Sequence, residues 1–202
     1  MDAFSCAACP RRCGALRKPA QPSGGFCGMP AGFVVARAAL HQWEEPCISG
    51  QHGSGTVFFS GCSLRCVYCQ NQQISLGRYG ALVTEENLLR MFDRLIEQGA
   101  HNLNLVNPTH YAPMLAKALK KYCSPVPVIY NSGGYERVEM LKALEGLVDI
   151  YLPDLKYVDS AVSLRYSGAA DYFDYASKAI LEMSRQVGKA TFDENGEMKK
   201  GQ

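Results

Sequence analysis

The chain has 202 residues, 47% of them hydrophobic and 20% charged, with a formal net charge of +2. That is room for one domain with a real core, or one domain and a small appendage, and so small a charge argues for neither a nucleic-acid nor a membrane-surface partner. No run approaches the roughly 18–20 apolar residues of a membrane helix. The start Met1-Asp2-Ala3-Phe4-Ser5-Cys6 lacks the basic opening and apolar stretch of a secretory signal.

A cytoplasmic protein is therefore expected. Nine cysteines in a reducing compartment are poor disulfide candidates, and clustered ones point to metal or to chemistry.

Residues 1–55 are rich in Cys, Gly, Pro and Ala, with weak periodicity, and read as an irregular metal-stapled lobe and connector. Cys6, Cys9, Cys13 and Cys27 follow C-x2-C-x3-C-x13-C, and Gly24-Gly25-Phe26-Cys27-Gly28 gives the backbone freedom to fold the last of them back. Four thiolates make a closed site, for zinc or for an auxiliary iron–sulfur cluster. Free thiols in a flexible arm are the alternative. Arg11, Arg12, Arg17 and Lys18 read as a solvated basic face beside that loop, with a partner-docking patch as the other reading. Cys47 and Cys123 stand alone and read as small core residues.

From Thr56 the pattern alternates. A short apolar strand is predicted at 56–60, and the run Gly61-Cys62-Ser63-Leu64-Arg65-Cys66-Val67-Tyr68-Cys69 leaves its end. The spacing is C-x3-C-x2-C. Three thiolates can hold three corners of a cubane cluster and leave one iron open, as catalytic metal sites keep a position that structural ones close. A zinc loop or three buried thiols would be the alternative.

A helix is predicted at 85–98, capped by Thr84 with Glu85 and Glu86 in its first turn, Leu88, Phe92, Leu95 and Ile96 inward, and Gly99 at its end. A strand at 102–106 precedes a helix opened by Pro113 and carrying Leu115, Leu119 and Tyr122 on one side. A strand at 126–130 precedes a helix at 136–145 with Val138, Leu141 and Leu144 inward. A strand at 148–152 precedes a helix at 172–187 with Phe173, Ala176, Ile180, Met183 and Val187 at helical spacing. The tail 189–202 is polar and is expected to fray.

Four strand–helix units predict an α/β fold, a parallel sheet covered by helices and wound in one direction. Such sheets carry function where strands end. The cysteine run lies there, as do Asn107-Pro108-Thr109-His110, Asn131-Ser132-Gly133-Gly134-Tyr135 and Pro153-Asp154-Leu155-Lys156. His110 taken alone reads as a satisfied loop histidine.

The cysteine run, with an aromatic before its last cysteine and placed after the first strand of an α/β chain, resembles the radical S-adenosylmethionine (radical SAM) superfamily. The phrases Cys9-Pro10-Arg11-Arg12-Cys13-Gly14, Glu44-Glu45-Pro46-Cys47-Ile48-Ser49-Gly50, Phe59-Ser60-Gly61-Cys62, Asn107-Pro108-Thr109-His110-Tyr111 and Tyr151-Leu152-Pro153-Asp154-Leu155-Lys156-Tyr157 are similar to proteins of the pyruvate formate-lyase activating enzyme-like group, over roughly residues 6–188. The resemblance implies a six-stranded partial (β/α) barrel over 56–188. The chain shows four units, as a member cut before its fifth strand would.

The resemblance further implies that Cys62, Cys66 and Cys69 each ligate one iron of a 4Fe–4S cluster. The amino and carboxylate groups of SAM would chelate the fourth iron. Electron transfer from the reduced cluster would cleave SAM to methionine and a 5′-deoxyadenosyl radical, which abstracts a hydrogen atom. Tyr68 would pack near the adenine. Asn107 and Thr109 stand where the family has a Gly-Gly-Glu run for the SAM amino group, and lack its charge. Asn131 and Ser132 stand where activating enzymes carry Asp-Thr, and Asp154 and Lys156 match an Asp-x-Lys motif near SAM, unless they are a simple ion pair. Implied partners are a glycyl-radical enzyme or another protein substrate, and a flavodoxin- or ferredoxin-type electron donor. A small-molecule substrate stays open, as do a non-catalytic iron–sulfur electron carrier, an inactive fragment and a zinc-binding interaction module.

Overall fold

The structure, a computed structural model, describes residues 2–202. It opens with an antiparallel ribbon of β1 (Phe4–Ser5) and β2 (Leu16–Arg17). Strand β3 (Phe33–His41) follows, then the one-turn α1 (Pro46–Ser49), β4 (Ser54–Phe59), α2 (Gln72–Ser75), β5 (Ala81–Val83) and α3 (Glu85–Glu97). The remainder is β6 (Leu103–Val106), a 3-10 turn Thr109–Tyr111, α4 (Ala112–Tyr122), β7 (Val128–Ser132), α5 (Val138–Lys142), β8 (Ile150–Pro153), α6 (Ser160–Ser167), α7 (Tyr172–Val187), β9 (Thr191–Phe192) and β10 (Met198–Lys200).

The main sheet has the order β5-β3-β4-β6-β7-β8. Strands β4, β6, β7 and β8 are parallel, while β3 runs antiparallel to both β4 and β5. This is a mixed α/β fold with a parallel-rich sheet, consistent with a partial radical SAM barrel. The strand Phe33–His41 falls inside the stretch read as irregular, so the sheet begins well before residue 56. Its Ala36-Arg37-Ala38-Ala39 centre has weak β propensity, and pairing on both sides forms the strand regardless.

Three of the four predicted helices fall where periodicity puts them, whereas the one expected at 136–145 is confined to Val138–Lys142. Thr84 caps α3 through Asn87 N–H at 3.1 Å, and Leu88, Phe92 and Leu95 are buried. They join Val57, Phe59, Leu103, Leu105, Tyr130 and Tyr151 of the sheet, Leu115 and Leu119 of α4, and Met183 and Val187 of α7 in the main core. Burying each such side chain contributes about 1.5–3 kcal/mol. The opposite sheet face carries Ile129 and Ile150 against Ile48 of α1.

Three local expectations change. Phe173 is exposed, because the buried stripe of α7 runs through Tyr172, Ala176, Ala179 and Met183 instead. Cys123 is exposed in the left-handed position that ends α4, and Cys47 is half-buried. The tail does not fray: β9 and β10 form a hairpin. Gly201 then continues the sheet beside β8, donating from its N–H to Asp149 O and accepting from Tyr151 N–H, both at 3.0 Å. Helix α6 was not foreseen, although Asp159 marks its start by accepting from Ala161 and Val162 N–H at 2.8 and 2.9 Å.

Candidate metal centre at the sheet rim

Strand β4 delivers the cysteine loop to the rim where β6, β7 and β8 also end. Its carbonyl at Ser60 accepts from His110 Nε2–H at 2.7 Å. Gly61 turns the chain with φ +79°, and a Cβ there would stand 2.6 Å from Met29 Cγ and 3.0 Å from the Cys27 carbonyl oxygen. The Gly61 carbonyl accepts from the side-chain amide of Asn107. Cys66 is buried, and Cys62 and Cys69 half-buried, all as free thiols. Burial pushes the Cys62 thiol up, and the neighbouring Cys66 and Cys69 sulfurs push it further. The three sulfurs therefore share one electrostatic neighbourhood, which a cationic iron cluster would relieve.

Side chains remote in sequence hold this loop. Arg11 donates from Nε to Ser63 O at 2.8 Å and from Nη2 to Ser167 O at 2.6 Å, with a further bond to Gly168 O. Its guanidinium lies 4.0 Å from the Phe26 ring centre. A directed chain of hydroxyls ends on the loop: Tyr68 donates to Tyr157 at 2.5 Å, Tyr157 meets Ser167 Oγ at 2.7 Å, and Ser167 donates to Cys66 Sγ at 3.0 Å. Hydrogen bonds to the sulfurs of a cluster set its potential. A bond worth about 0.5–1.5 kcal/mol corresponds to about 20–60 mV for one electron. Ser167→Ala is accordingly expected to lower the midpoint potential of the reconstituted cluster by that amount, read by redox titration.

Tyr68 is 55% exposed and sits edge-on to Tyr157 and Tyr166. Asn107 adopts φ +59° and spends its amide on the Gly61 carbonyl. Thr109 is not free at the rim: it is buried, and its hydroxyl donates to Glu136 Oε1 at 2.5 Å. Ser132 is buried too, its Oγ accepting from Gly134 N–H at 3.2 Å. Asn131 points to the other sheet face, with Nδ2 3.5 Å from Glu44 Oε1. Lys156 Nζ and Asp154 Oδ2 do form an ion pair, at 2.5 Å. Burial opposes the Lys156 charge, yet Asp154, with Cys66 and Cys62 behind it, holds its pKa above the usual value. His110 is a structural histidine, its pKa lowered to about 3 by burial and by Arg17.

Glu136 follows the strand-end run at β7 and was not singled out, although a carboxylate there was a visible signal. It is fully buried, and Thr109 and Tyr130 hydroxyls donate to it, Tyr130 at 3.2 Å. Burial raises its pKa to about 7, against the lowering effect of those hydroxyls. The folded state then holds the proton over a range where the unfolded chain has released it, so stability falls as pH rises from about 4.5 to about 7. Glu136→Gln removes this titration. Urea denaturation at pH 5 and pH 8 is expected to show wild type losing stability relative to the variant at the higher pH.

Among the N-terminal cysteines, Cys6, Cys9 and Cys27 are buried and Cys13 exposed. Burial, joined by the Cys27 and Cys6 sulfurs, pushes the Cys9 thiol up to about 12. Arg17 is not part of a solvated face: it is 1% exposed. Among the described residues, no three His, Cys, Asp or Glu side chains gather around a single ion-sized point. Cubane ligands each bind a different iron and stand wider apart than the ligands of one ion.

Residues 56–193 match the Radical SAM superfamily, and the chain belongs to that superfamily. Membership implies a 4Fe–4S cluster, SAM and radical chemistry. The chain is 30% identical over 185 residues to the uncharacterized protein MJ0674 of Methanocaldococcus jannaschii, covering 88% of this chain and 53% of that protein. It thus spans about half the length of the curated relative it matches. The donor set at the rim fits the implied group: three soft thiols on one loop, with a buried hydroxyl aimed at one sulfur. No helix among the described residues is long and apolar enough to cross a membrane.

Proposed function

We propose that this chain is a radical SAM enzyme that cleaves SAM reductively and takes a hydrogen atom from a substrate at the open rim. The carrying observation is the three-cysteine loop on β4, buttressed by Arg11 and hydrogen-bonded through Ser167. Cys62, Cys66 and Cys69 would hold the cluster. When bound, cluster and SAM supply one-electron cleavage of a sulfonium bond.

The protein's own work is placement. Asp154, 58% exposed just past the end of β8 and paired with Lys156, offers a carboxylate for an ammonium or ribose hydroxyls. Asn131 and Glu44 offer polar groups on the sheet face opposite α3, α4 and α7. Tyr68 covers the outer edge of the loop. Activation of a glycyl-radical enzyme, with a flavodoxin- or ferredoxin-type donor, is the finer reading; its support is the likeness of the sequence phrases to activating enzymes.

Anaerobic reconstitution, then reduction with SAM, tests the proposal. The expected products are 5′-deoxyadenosine and methionine. A reducible cluster with no cleavage product would make the chain an electron carrier instead.

A further inference from the structure

Arg17 is the least explained charge in the molecule. Its guanidinium is buried beside Cys27, 5.9 and 5.8 Å from the ring centres of Phe4 and Tyr111. Nη2 donates to Cys27 Sγ at 3.3 Å, and Nη1 is buried with no partner. Among the described residues no carboxylate pairs with it. Arginine stays protonated in proteins, and a buried cation without an anion is strongly destabilising. The polar atom it meets is the Cys27 sulfur, which carries negative charge only as a thiolate.

We propose that Cys6, Cys9, Cys13 and Cys27 hold a second, thiolate-bound iron–sulfur cluster, whose ligands stand wider apart than those of one ion, with Arg17 as a buried counter-charge. Two ferric and two ferrous ions with four sulfides make the dicationic cube, so binding it releases the thiol protons to solvent and moves no electron. Four thiolates outweigh the charge of that cube, and the guanidinium offsets part of the remainder. Cys13, the exposed member, lies over Gly25: a Cβ there would meet Cys13 Sγ at 3.0 Å, two residues before Cys27. A turn closed by Gly28 N–H to Gly25 O at 2.9 Å places Cys27 within it.

The centre has a structural consequence for the rim. The Cys27 carbonyl abuts Gly61 at the root of the first cysteine loop. Arg11, between Cys9 and Cys13, holds the Ser63 carbonyl within that loop. A metal at the N-terminal site would therefore fix the shelf on which Cys62, Cys66 and Cys69 rest.

The test uses the full chain with Cys62→Ala, Cys66→Ala and Cys69→Ala, purified without oxygen and reconstituted with equal ferrous and ferric iron and sulfide. Metal and acid-labile sulfide are measured. Iron with matching sulfide, about four of each per chain, is expected. Arg17→Met in that background should weaken retention against a chelator by about 10–100-fold, and Arg17→Lys by less. Adding Cys9→Ser and Cys27→Ser should abolish it. Should that variant fail to fold, thiol titration of the intact lobe decides: native thiols shielded until chelator is added support the proposal. Absence of iron and sulfide, thiols equally reactive with and without chelator, or retention unchanged by Arg17→Met would overturn it.

Discussion

Cys66→Ala is expected to abolish SAM cleavage and to remove the rim cluster's share of the visible absorption of the reconstituted chain. Cys66 is the buried member of the trio, and its sulfur terminates the hydroxyl chain from Tyr68 through Tyr157 and Ser167. Alanine deletes one iron ligand and leaves the buried Ser167 hydroxyl without its acceptor, at a cost of about 1–3 kcal/mol. The fold should survive, because Arg11 still holds Ser63 and Ser167. Far-ultraviolet circular dichroism near wild type, together with lost 5′-deoxyadenosine production, is the expected pair of results. Product formation persisting near wild-type level would show that Cys66 is not a ligand.

Gly61→Ala is expected to reduce cluster loading and to destabilise the chain by about 2–3 kcal/mol. Its φ of +79° disfavours any side chain, and the added Cβ would press on Met29 and on the backbone of Cys27. Met29 can move; the Cys27 carbonyl cannot without shifting the N-terminal lobe. Gly146→Ala is the control. It has nearly the same φ, +76°, and nothing within 4 Å of the new Cβ, so it carries the backbone strain alone, about 1–2 kcal/mol. Iron content per chain and urea midpoints of the two variants separate the effects. Equal loss of iron in both would refute the packing argument.

The four parallel strands and their helices were legible because each pairs a short apolar run with a clean helical face, as in Leu88, Phe92 and Leu95. The cysteine loop was legible because its three cysteines, Cys62, Cys66 and Cys69, lie within a run of eight residues. What supports that loop was not. Arg11 reaches Ser63 and Ser167 across 52 and 156 positions, and Ser167 reaches Cys66 across 101. No local spacing encodes such pairs. Strand β3 was hidden by its alanines and by the cysteine-rich segment before it. The polar clusters at the strand ends were found, but their side chains divide between the two sheet faces. Thr109 and Ser132 turn to Glu136 in the core, whereas Asn131 turns to Glu44. Strand alternation assigns opposite faces to neighbours such as Asn131 and Ser132, while a 3-10 turn such as Thr109–Tyr111 carries no such rule.

Electron paramagnetic resonance of the reduced, reconstituted chain, recorded before and after SAM is added, bears most directly on the open iron. The account predicts a cubane signal that changes when SAM binds and is missing from the Cys66→Ala variant. No SAM-sensitive component, or one that persists unchanged in Cys66→Ala, would contradict it.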